Sequence, residues 1–425
     1  DLIEGFDSTS TLQIVSGKVD SVLRTNGEDY FLTVGKDTIT LEGAAWFNEI
    51  NKINIINSKG KAIKFKNISG TDGDDTINNG NWSNAGENNI SISGGAGNDV
   101  IENYGSKETI DAGKGNDSIT NWKDGSKVSI NGGAGNDFIY NNGSKTIING
   151  GKGNDSIENL GDKVTIDGGK GNDYIYNEYH GENVLFKYTG GNDSIYGFNS
   201  TSTLQIVSGK MDSVVKTNGS DYFLTVDKDT ITLGSVAELD KVNIVNSKGK
   251  AVKFTVDKNI VGSNGNDSIK NDVDNATISV GKGNDFIYND GDRATLDGGK
   301  GNDTIRNQGD KVLFKYTGGN DLIYGFDSTS TLQIASGTLN PTIKSNGTDL
   351  FLTVGKGTIT LRNIYSLDKL NLVDADGKKL SYEIALVGSA DNDLISNYHS
   401  TISILGGAGN DTISTRSVLS KSEKG

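Results

Sequence analysis

The chain has 425 residues, of which 33% are hydrophobic, and carries a formal charge of −14 at pH 7. Its length allows two or three domains, yet so small an apolar fraction argues against one large core, and the acidity favours cations over nucleic acid or an anionic membrane surface as partners. The 58 glycines against the single Pro341 point to many tight turns, the lack of cysteine excludes disulfides and thiolate metal sites, and no apolar run approaches a membrane span.

In chain order, the first segment, residues 2–65, opens a module that recurs at 194–254 and 322–382, each copy with a Gly-Phe-(Asp/Asn)-Ser-Thr-Ser-Thr-Leu-Gln-Ile start. Asn26-Gly27, Asn218-Gly219 and Asn346-Gly347 precede Phe-Leu-Thr-Val and predict a hairpin followed by further short strands. Asp1 aligns with Asp193 and Asp321, so the sequence is expected to begin inside a motif, either as a piece of a longer protein or because the ordered part starts there. The N-terminus shows no basic and hydrophobic leader, so any secretion signal is expected elsewhere.

Next comes a glycine-rich tract, Gly94-Gly95-Ala96-Gly97-Asn98-Asp99-Val100-Ile101, which recurs at steps of 18 or 20 residues. Counted by its Asp, the first block holds positions 75, 99, 117, 137, 155, 173 and 193, the second 267, 285, 303 and 321, and the third 393 and 411. Two residues after each Asp stands Ile, which predicts one inward apolar residue per turn. Between the tracts, segments such as Asn159-Leu160-Gly161-Asp162-Lys163-Val164-Thr165-Ile166 alternate apolar and polar residues as a half-buried strand does. Each coil therefore holds two short strands and two turns, and the 20-residue coils place their extra residues in the second turn. Four residues after the Asp stands Asn in ten of thirteen copies, which predicts a buried row of stacked amides; Gly197 and Gly325 replace it at block ends. Phe186 and Phe314 replace the usual Ile or Leu near those ends and are expected to close an open stack.

In each tract, glycines fold a loop tight enough for carbonyl oxygens to converge while Asp adds charge, a hard oxygen cage suited to calcium. The pattern resembles the repeats-in-toxin (RTX) nonapeptide, Gly-Gly-x-Gly-x-Asp-x-apolar-x, a calcium-binding repeat. The resemblance implies calcium between turns one coil apart. The carbonyls of positions two and four and the position-six Asp of one turn would face the carbonyls of positions one and three and the Asp of the next.

Carried over, the implied ligands of the first block begin with Thr71, Gly73 and Asp75, then Gly94, Gly95, Ala96, Gly97 and Asp99. They continue through Ala112, Gly113, Lys114, Gly115, Asp117, Gly132, Gly133, Ala134, Gly135 and Asp137. Gly150, Gly151, Lys152, Gly153, Asp155, Gly168, Gly169, Lys170, Gly171, Asp173, Tyr188, Gly190 and Asp193 complete that block. The second block supplies Ser263, Gly265, Asp267, Val280, Gly281, Lys282, Gly283, Asp285, Gly298, Gly299, Lys300, Gly301, Asp303, Tyr316, Gly318 and Asp321. The third supplies Ser389, Asp391, Asp393, Gly406, Ala408 and Asp411. Ten sites result at most, and ten ions would turn −14 into a mildly positive charge, so folding is expected to follow calcium binding. Thr71, Tyr188, Tyr316 and Asp391 depart from the pattern and mark weaker end sites.

Other chemistry is thin. His180 and His399 stand in no H-E-x-x-H helix, no G-x-S-x-G elbow occurs, and no enzyme site is read. Lys114, Lys152, Lys170, Lys282 and Lys300 at position three read as solvated charge, and Trp46, Trp82 and Trp122 as local packing or exposed loops.

The expected fold is all-β: parallel β-roll blocks alternating with small β-rich modules in an elongated rod. The divisions are β-rich modules at 1–69, 198–261 and 326–387, and rolls at 70–197, 262–325 and 388–425. The expected function is that of a secreted or cell-surface calcium-binding structural protein: an adhesin stalk, an S-layer-like coat or a filament stacked head to tail. The resemblance implies type I secretion. Alternatives are the calcium-dependent carrier region of an enzyme whose catalytic domain lies outside these residues and, on weaker grounds, an ice-binding roll.

Overall fold

The computed structural model describes all residues except Ser8, 44–52, 82–83, 86–87, 124, 179–180, 237–238, 240–241, 347, 365–368, 388–393, 398–402, 407–408 and 416–425. The described residues form strands and turns with no helix. They divide into two compact units, one of residues 1–215 and 222–255, the other of 216–221 and 256–425.

In the first unit, strands Asn67–Ser69, Ser91–Ala96, Thr109–Lys114, Ser129–Ala134, Ile147–Lys152, Thr165–Lys170 and Leu185–Tyr188 pair in parallel as one sheet. A second parallel sheet comprises Thr76–Asn81, Val100–Asn103, Ser118–Asn121, Phe138–Asn141, Ser156–Asn159, Tyr174–Asn177 and Ser194–Tyr196. This is a parallel β-roll. Register follows from the repeat: Ile92, Ile110, Ile130, Ile148 and Ile166 stack on one side, and Ile77, Ile101, Ile119, Ile139, Ile157, Ile175 and Ile195 on the other. All are buried, and each contributes about 1.5–3 kcal/mol by leaving water. A one-residue slip would expose a whole column, so the register is strongly specified.

The first sheet does not end at the phenylalanine coil. Leu185–Tyr188 pairs with Thr203–Ile206, which pairs with Ile244–Asn246, so buried Phe186 stacks beneath Leu204 and lies 5.6 Å from the Phe198 ring. The expectation that Phe186 closes an open end is therefore corrected: its larger ring fills a core that continues into the module. Phe314 is placed likewise between Leu296 and Leu332 in the second unit, 5.4 Å from Phe326.

The modules are built differently from a single hairpin. In the first, Leu2–Ile3 pairs in parallel with Asp37–Leu41, which starts an antiparallel meander through Tyr30–Val34 to Val19–Thr25. Val19–Thr25 then pairs in parallel with Asn67–Ser69 of the roll. Asn26-Gly27 is not a two-residue turn. Residues 26–29 form a four-residue loop in which Asn26 Oδ1 accepts from the Glu28 and Asp29 amides. The tight turn comes later, at Gly35-Lys36 between the paired Val34 and Asp37.

The second unit repeats the design. Strands Asn259–Val261, Thr277–Ser279, Thr295–Asp297, Leu313–Tyr316, Thr331–Ile334 and Leu372–Asp374 make one parallel sheet. Ser268–Asn271, Phe286–Asn289, Thr304–Asn307 and Asn320–Tyr324 start the other. A meander of Gly357–Arg362, Leu350–Val354 and Thr342–Ser345 then carries this second sheet into Glu383–Val387 and Ser403–Leu405. By its place in the repeat, Ser403–Leu405 is a first-sheet strand, so the module hands one sheet of a roll to the opposite sheet of the next.

Candidate metal centre

The first sheet's strands run into the glycine tract, and from there the chain turns sharply toward the repeat Asp. Gly95 and Gly97 have φ of +121° and +113°, a region that L side chains rarely adopt. A Cβ on Gly95 would also lie 2.2 Å from the Thr71 carbonyl oxygen of the preceding coil, and one on Gly113 2.2 Å from that of Gly95. Position two is therefore glycine in the middle of each roll; at the last turns Thr189 and Thr317 stand there, and their hydroxyls donate to Gly169 O and Gly299 O of the coil below. Thr71 and Ser263 open their blocks, with no earlier calcium turn beneath them, and a side chain is tolerated there.

The carbonyls alternate in direction. Those of positions two and four point toward the following coil: a Cβ on Gly113 would meet Gly95 O, and one on Gly115 would meet Gly97 O at 1.8 Å. Those of positions one and three point back. A Cβ on Gly94 would lie 2.4 Å from Ala112 O, while the position-three carbonyls of Ala134, Lys152 and Lys170 accept the amides of Gly115, Gly135 and Gly153 at 2.8–2.9 Å. All four kinds of carbonyl in the implied ligand set thus face the gap between adjacent turns.

The aspartates complete the gap. Each Oδ1 accepts the amide of the Asp one coil earlier: Asp75 donates to Asp99, Asp99 to Asp117, Asp117 to Asp137, Asp137 to Asp155, Asp155 to Asp173 and Asp173 to Asp193, at 2.8–3.0 Å. In the second roll Asp267, Asp285 and Asp303 donate to Asp285, Asp303 and Asp321. The other oxygen is left over: Oδ2 of Asp99, Asp117, Asp137, Asp155, Asp173, Asp285 and Asp303 is buried without a hydrogen-bond partner. Each of these is an acceptor that needs a proton or a cation. At the position-one glycines Gly94, Gly132 and Gly150 it converges with a carbonyl of the next turn. A Cβ on Gly132 would lie 2.4 Å from Asp137 Oδ2 and 2.5 Å from Gly150 O, and one on Gly150 2.4 Å from both Asp155 Oδ2 and Gly168 O.

Burial raises the carboxyls well above the usual range. Asp99, Asp155, Asp173 and Asp303 are pushed to about 6, and Asp137, Asp193 and Asp321 to about 7; desolvation is the main cause, and neighbouring aspartates add to it. A row of acceptor oxygens with no nitrogen or sulfur among them fits a hard cation with many oxygen ligands. No group of three His, Cys, Asp or Glu side chains gathers to hold a metal among the described residues. Most donors in these gaps are main-chain carbonyls.

The ends differ from the middle. Thr71 and Ser263 donate amide and hydroxyl to Asp75 and Asp267, so those carboxylates have partners from within their own turn. At the last turn of each roll, the Tyr188 hydroxyl donates to Gly191 O at 3.0 Å and Tyr316 to Gly319 O at 2.9 Å, covering a forward-pointing carbonyl. Of the third block, Ser389, Asp391, Asp393 and Ala408 lie outside the described residues. Gly406 and Asp411 lie within them, and a Cβ on Gly406 would sit 2.4 Å from Asp411 Oδ2. His180, His399, Trp46, Trp82 and Gly347 also lie outside.

The predicted amide row is present on the far side. Asn79 Nδ2 donates to Asn103, Asn103 to Asn121, Asn121 to Asn141, Asn141 to Asn159 and Asn159 to Asn177 at 2.7–2.8 Å, and Asn177 ends the row on Gly197 O. Asn271, Asn289 and Asn307 repeat it and end on Gly325 O. A second row was not read from the sequence. The position-five side chains of Asp74, Asn98, Asn116, Asn136, Asn154 and Asn172 each accept the amide of the position-five residue one coil later. Its signal is the residue before each repeat Asp, an Asp at 74 and Asn in the later copies. Lys114, Lys152, Lys170, Lys282 and Lys300 are exposed, and Trp122 packs between Tyr104 and Tyr140 at 5.5 and 6.0 Å.

A family model described as the RTX calcium-binding nonapeptide repeat (4 copies) matches residues 91–119, 128–144, 161–177, 271–305 and 403–417. The chain carries RTX repeats. These segments include the turns of Asp99, Asp117, Asp137, Asp173, Asp285 and Asp303, and RTX repeats as a class bind calcium. No curated protein matches the chain. Among solved structures, the extracellular lipase LipA from Serratia marcescens is similar at 20% identity and a TM-score of 0.24, over 58% of this chain. The chain spans 45% of that lipase's length.

Proposed function

We propose that this chain is an extracellular or cell-surface structural protein with no catalytic role of its own, whose rolls fold as calcium enters the inter-turn gaps. The observation that carries the proposal is the row of buried Oδ2 atoms of Asp99, Asp117, Asp137, Asp155, Asp173, Asp285 and Asp303, none with a hydrogen-bond partner, of which those of Asp99, Asp137 and Asp155 converge on a carbonyl of the next turn. A representative site takes Gly95, Gly97 and Asp99 from one turn and Ala112, Lys114 and Asp117 from the next. Extracellular calcium modules bind at roughly 10⁻⁴ to 10⁻³ M, so such gaps stay empty at cytosolic calcium and fill outside the cell. Type I secretion of the unfolded chain suits that difference.

The function is then reach and stiffness, as in an adhesin stalk, an S-layer-like coat or a filament assembled head to tail from copies of itself. Light scattering at millimolar calcium and in EGTA, with cryo-electron microscopy of the native particle, separates these. Calcium-dependent growth into chains or sheets supports coat or filament, and monomers under both conditions leave the stalk. Finding a catalytic domain in the parent gene would favour the enzyme-carrier reading instead.

A further inference from the structure

We infer that the outer face of the first roll holds a docking slot for an arginine side chain of a basic partner polypeptide. On the second sheet, the residues one and three places after each repeat Asp face outward. Register puts Phe138, Ser156 and Tyr174 in one row and Tyr140, Glu158 and Tyr176 in the next. Two aromatic rungs therefore flank a rung of small and acidic side chains. Phe138 and Tyr174 are 38% and 45% exposed, and Glu158 is partly exposed between them. The flanking rungs lie two strand spacings apart, about 10 Å, so a cation midway is about 5 Å from each wall. That is inside the roughly 6 Å range of cation–π attraction.

The second roll shows what such a slot accepts. There Phe286 and Tyr288 form one flanking rung, Leu322 and Tyr324 the other, and Thr304 and Arg306 the rung between. The Arg306 guanidinium lies 5.9 Å from the Phe286 ring centroid and 5.2 Å from that of Tyr324. In the first roll Glu158 stands at the position of Arg306, so the aromatic walls are kept while the charge on the floor is reversed. A carboxylate between aromatic walls complements a planar guanidinium, which stacks on rings and pairs with carboxylates in a way that a lysine ammonium does not.

Charge also points away from a second copy as the source. The chain carries −14 and has five arginines, of which Arg293 and Arg362 already pair with Asp274 and Asp349 and Arg306 fills its own slot.

The test uses the calcium-loaded full chain labelled with fluorotyrosine. It is titrated, under fluorine NMR, with a Gly/Ser peptide carrying one arginine and with its citrulline counterpart. The arginine peptide is expected to give a saturable shift at one site, and the citrulline peptide none. Glu158→Arg installs what the second roll already holds, so it is expected to fold and to lower affinity by about ten-fold or more. Arg306→Glu is expected to raise the stoichiometry from one site to two. The inference is overturned by absence of a saturable shift, by equal binding of the citrulline peptide, or by unchanged affinity in a folded Glu158→Arg chain. Self-association abolished by Glu158→Arg would assign the slot to a second copy and overturn the basic partner.

Discussion

Replacing Asn141 by Ala breaks the buried amide row at its centre. Asn141 is fully buried; its Nδ2 donates to Gly143 O at 2.9 Å and Asn159 Oδ1 at 2.8 Å, and its Oδ1 accepts from Asn121 Nδ2 at 2.7 Å and Gly143 N at 3.2 Å. Asn121 Nδ2 and Asn159 Oδ1 keep their bonds to Gly125 O and Gly161 N, and Gly143 O keeps the Thr146 hydroxyl at 3.0 Å, whereas Gly143 N loses its side-chain partner. A net hydrogen bond is worth about 0.5–1.5 kcal/mol, and a buried group left without a partner costs about 1–3 kcal/mol. With relaxation toward the second turn, the expected loss is about 3–5 kcal/mol. The control is Asn136→Ala in the exposed row, which removes the single acceptor of the Asn154 amide and leaves that amide to water. Its expected cost is about 1 kcal/mol or less. Urea unfolding of calcium-loaded protein, followed by circular dichroism, measures both. Equal losses, or a loss under 1 kcal/mol for Asn141→Ala, would refute the claim that the buried row stabilises the roll.

Three further outcomes follow from the same geometry. Burial holds Asp99, Asp155, Asp173 and Asp303 at about 6 and Asp137, Asp193 and Asp321 at about 7 without an ion, so their protonated forms favour the ion-free fold. That contribution is full below about pH 4 and lost as pH rises through 6 to 7, so the EGTA-treated chain should be more ordered by circular dichroism at pH 5 than at pH 8. The reverse order would contradict the burial argument. Protons compete for the same oxygens, so calcium affinity in isothermal titration should fall as pH drops below about 6; a flat profile from pH 5 to 8 would exclude carboxylate ligands. Gly133→Ala places a methyl 2.1 Å from Gly113 O at a φ of +112°, and should remove one ion from the total measured by native mass spectrometry. An unchanged count would show that this cradle holds none.

Much of the fold is legible because the repeat fixes it. Ile two places after each Asp and Asn four places after it recur in phase, and a parallel coil leaves each only one place to go, the core column and the amide row. The glycine pattern is legible for a related reason, since a carbonyl of the coil below occupies the space a side chain would need. What was not legible is non-local. No local pattern says that the meander Gly357–Arg362, Leu350–Val354 and Thr342–Ser345 joins opposite sheets, because that depends on which strand meets the last rung. Phe186 was misread as a stopper because its size was visible and the strand packed over it, Thr203–Ile206, was not. Lys107, Lys127, Lys145 and Lys163 take positive φ in the second turns, where lysine chemistry gives no hint of a left-handed conformation. At the metal gaps, the spacing of Asp and Gly was readable. The partners that Thr71 and Ser263 give to Asp75 and Asp267 were not, because they depend on side-chain reach within one turn.

The most direct measurement is to count calcium ions bound per chain at millimolar calcium while following secondary structure as EGTA removes them. The account predicts several ions per chain, loss of parallel β-roll signal in step with their removal, and no rescue by magnesium. A chain that keeps its spectrum and melting temperature after complete calcium removal at neutral pH would contradict it.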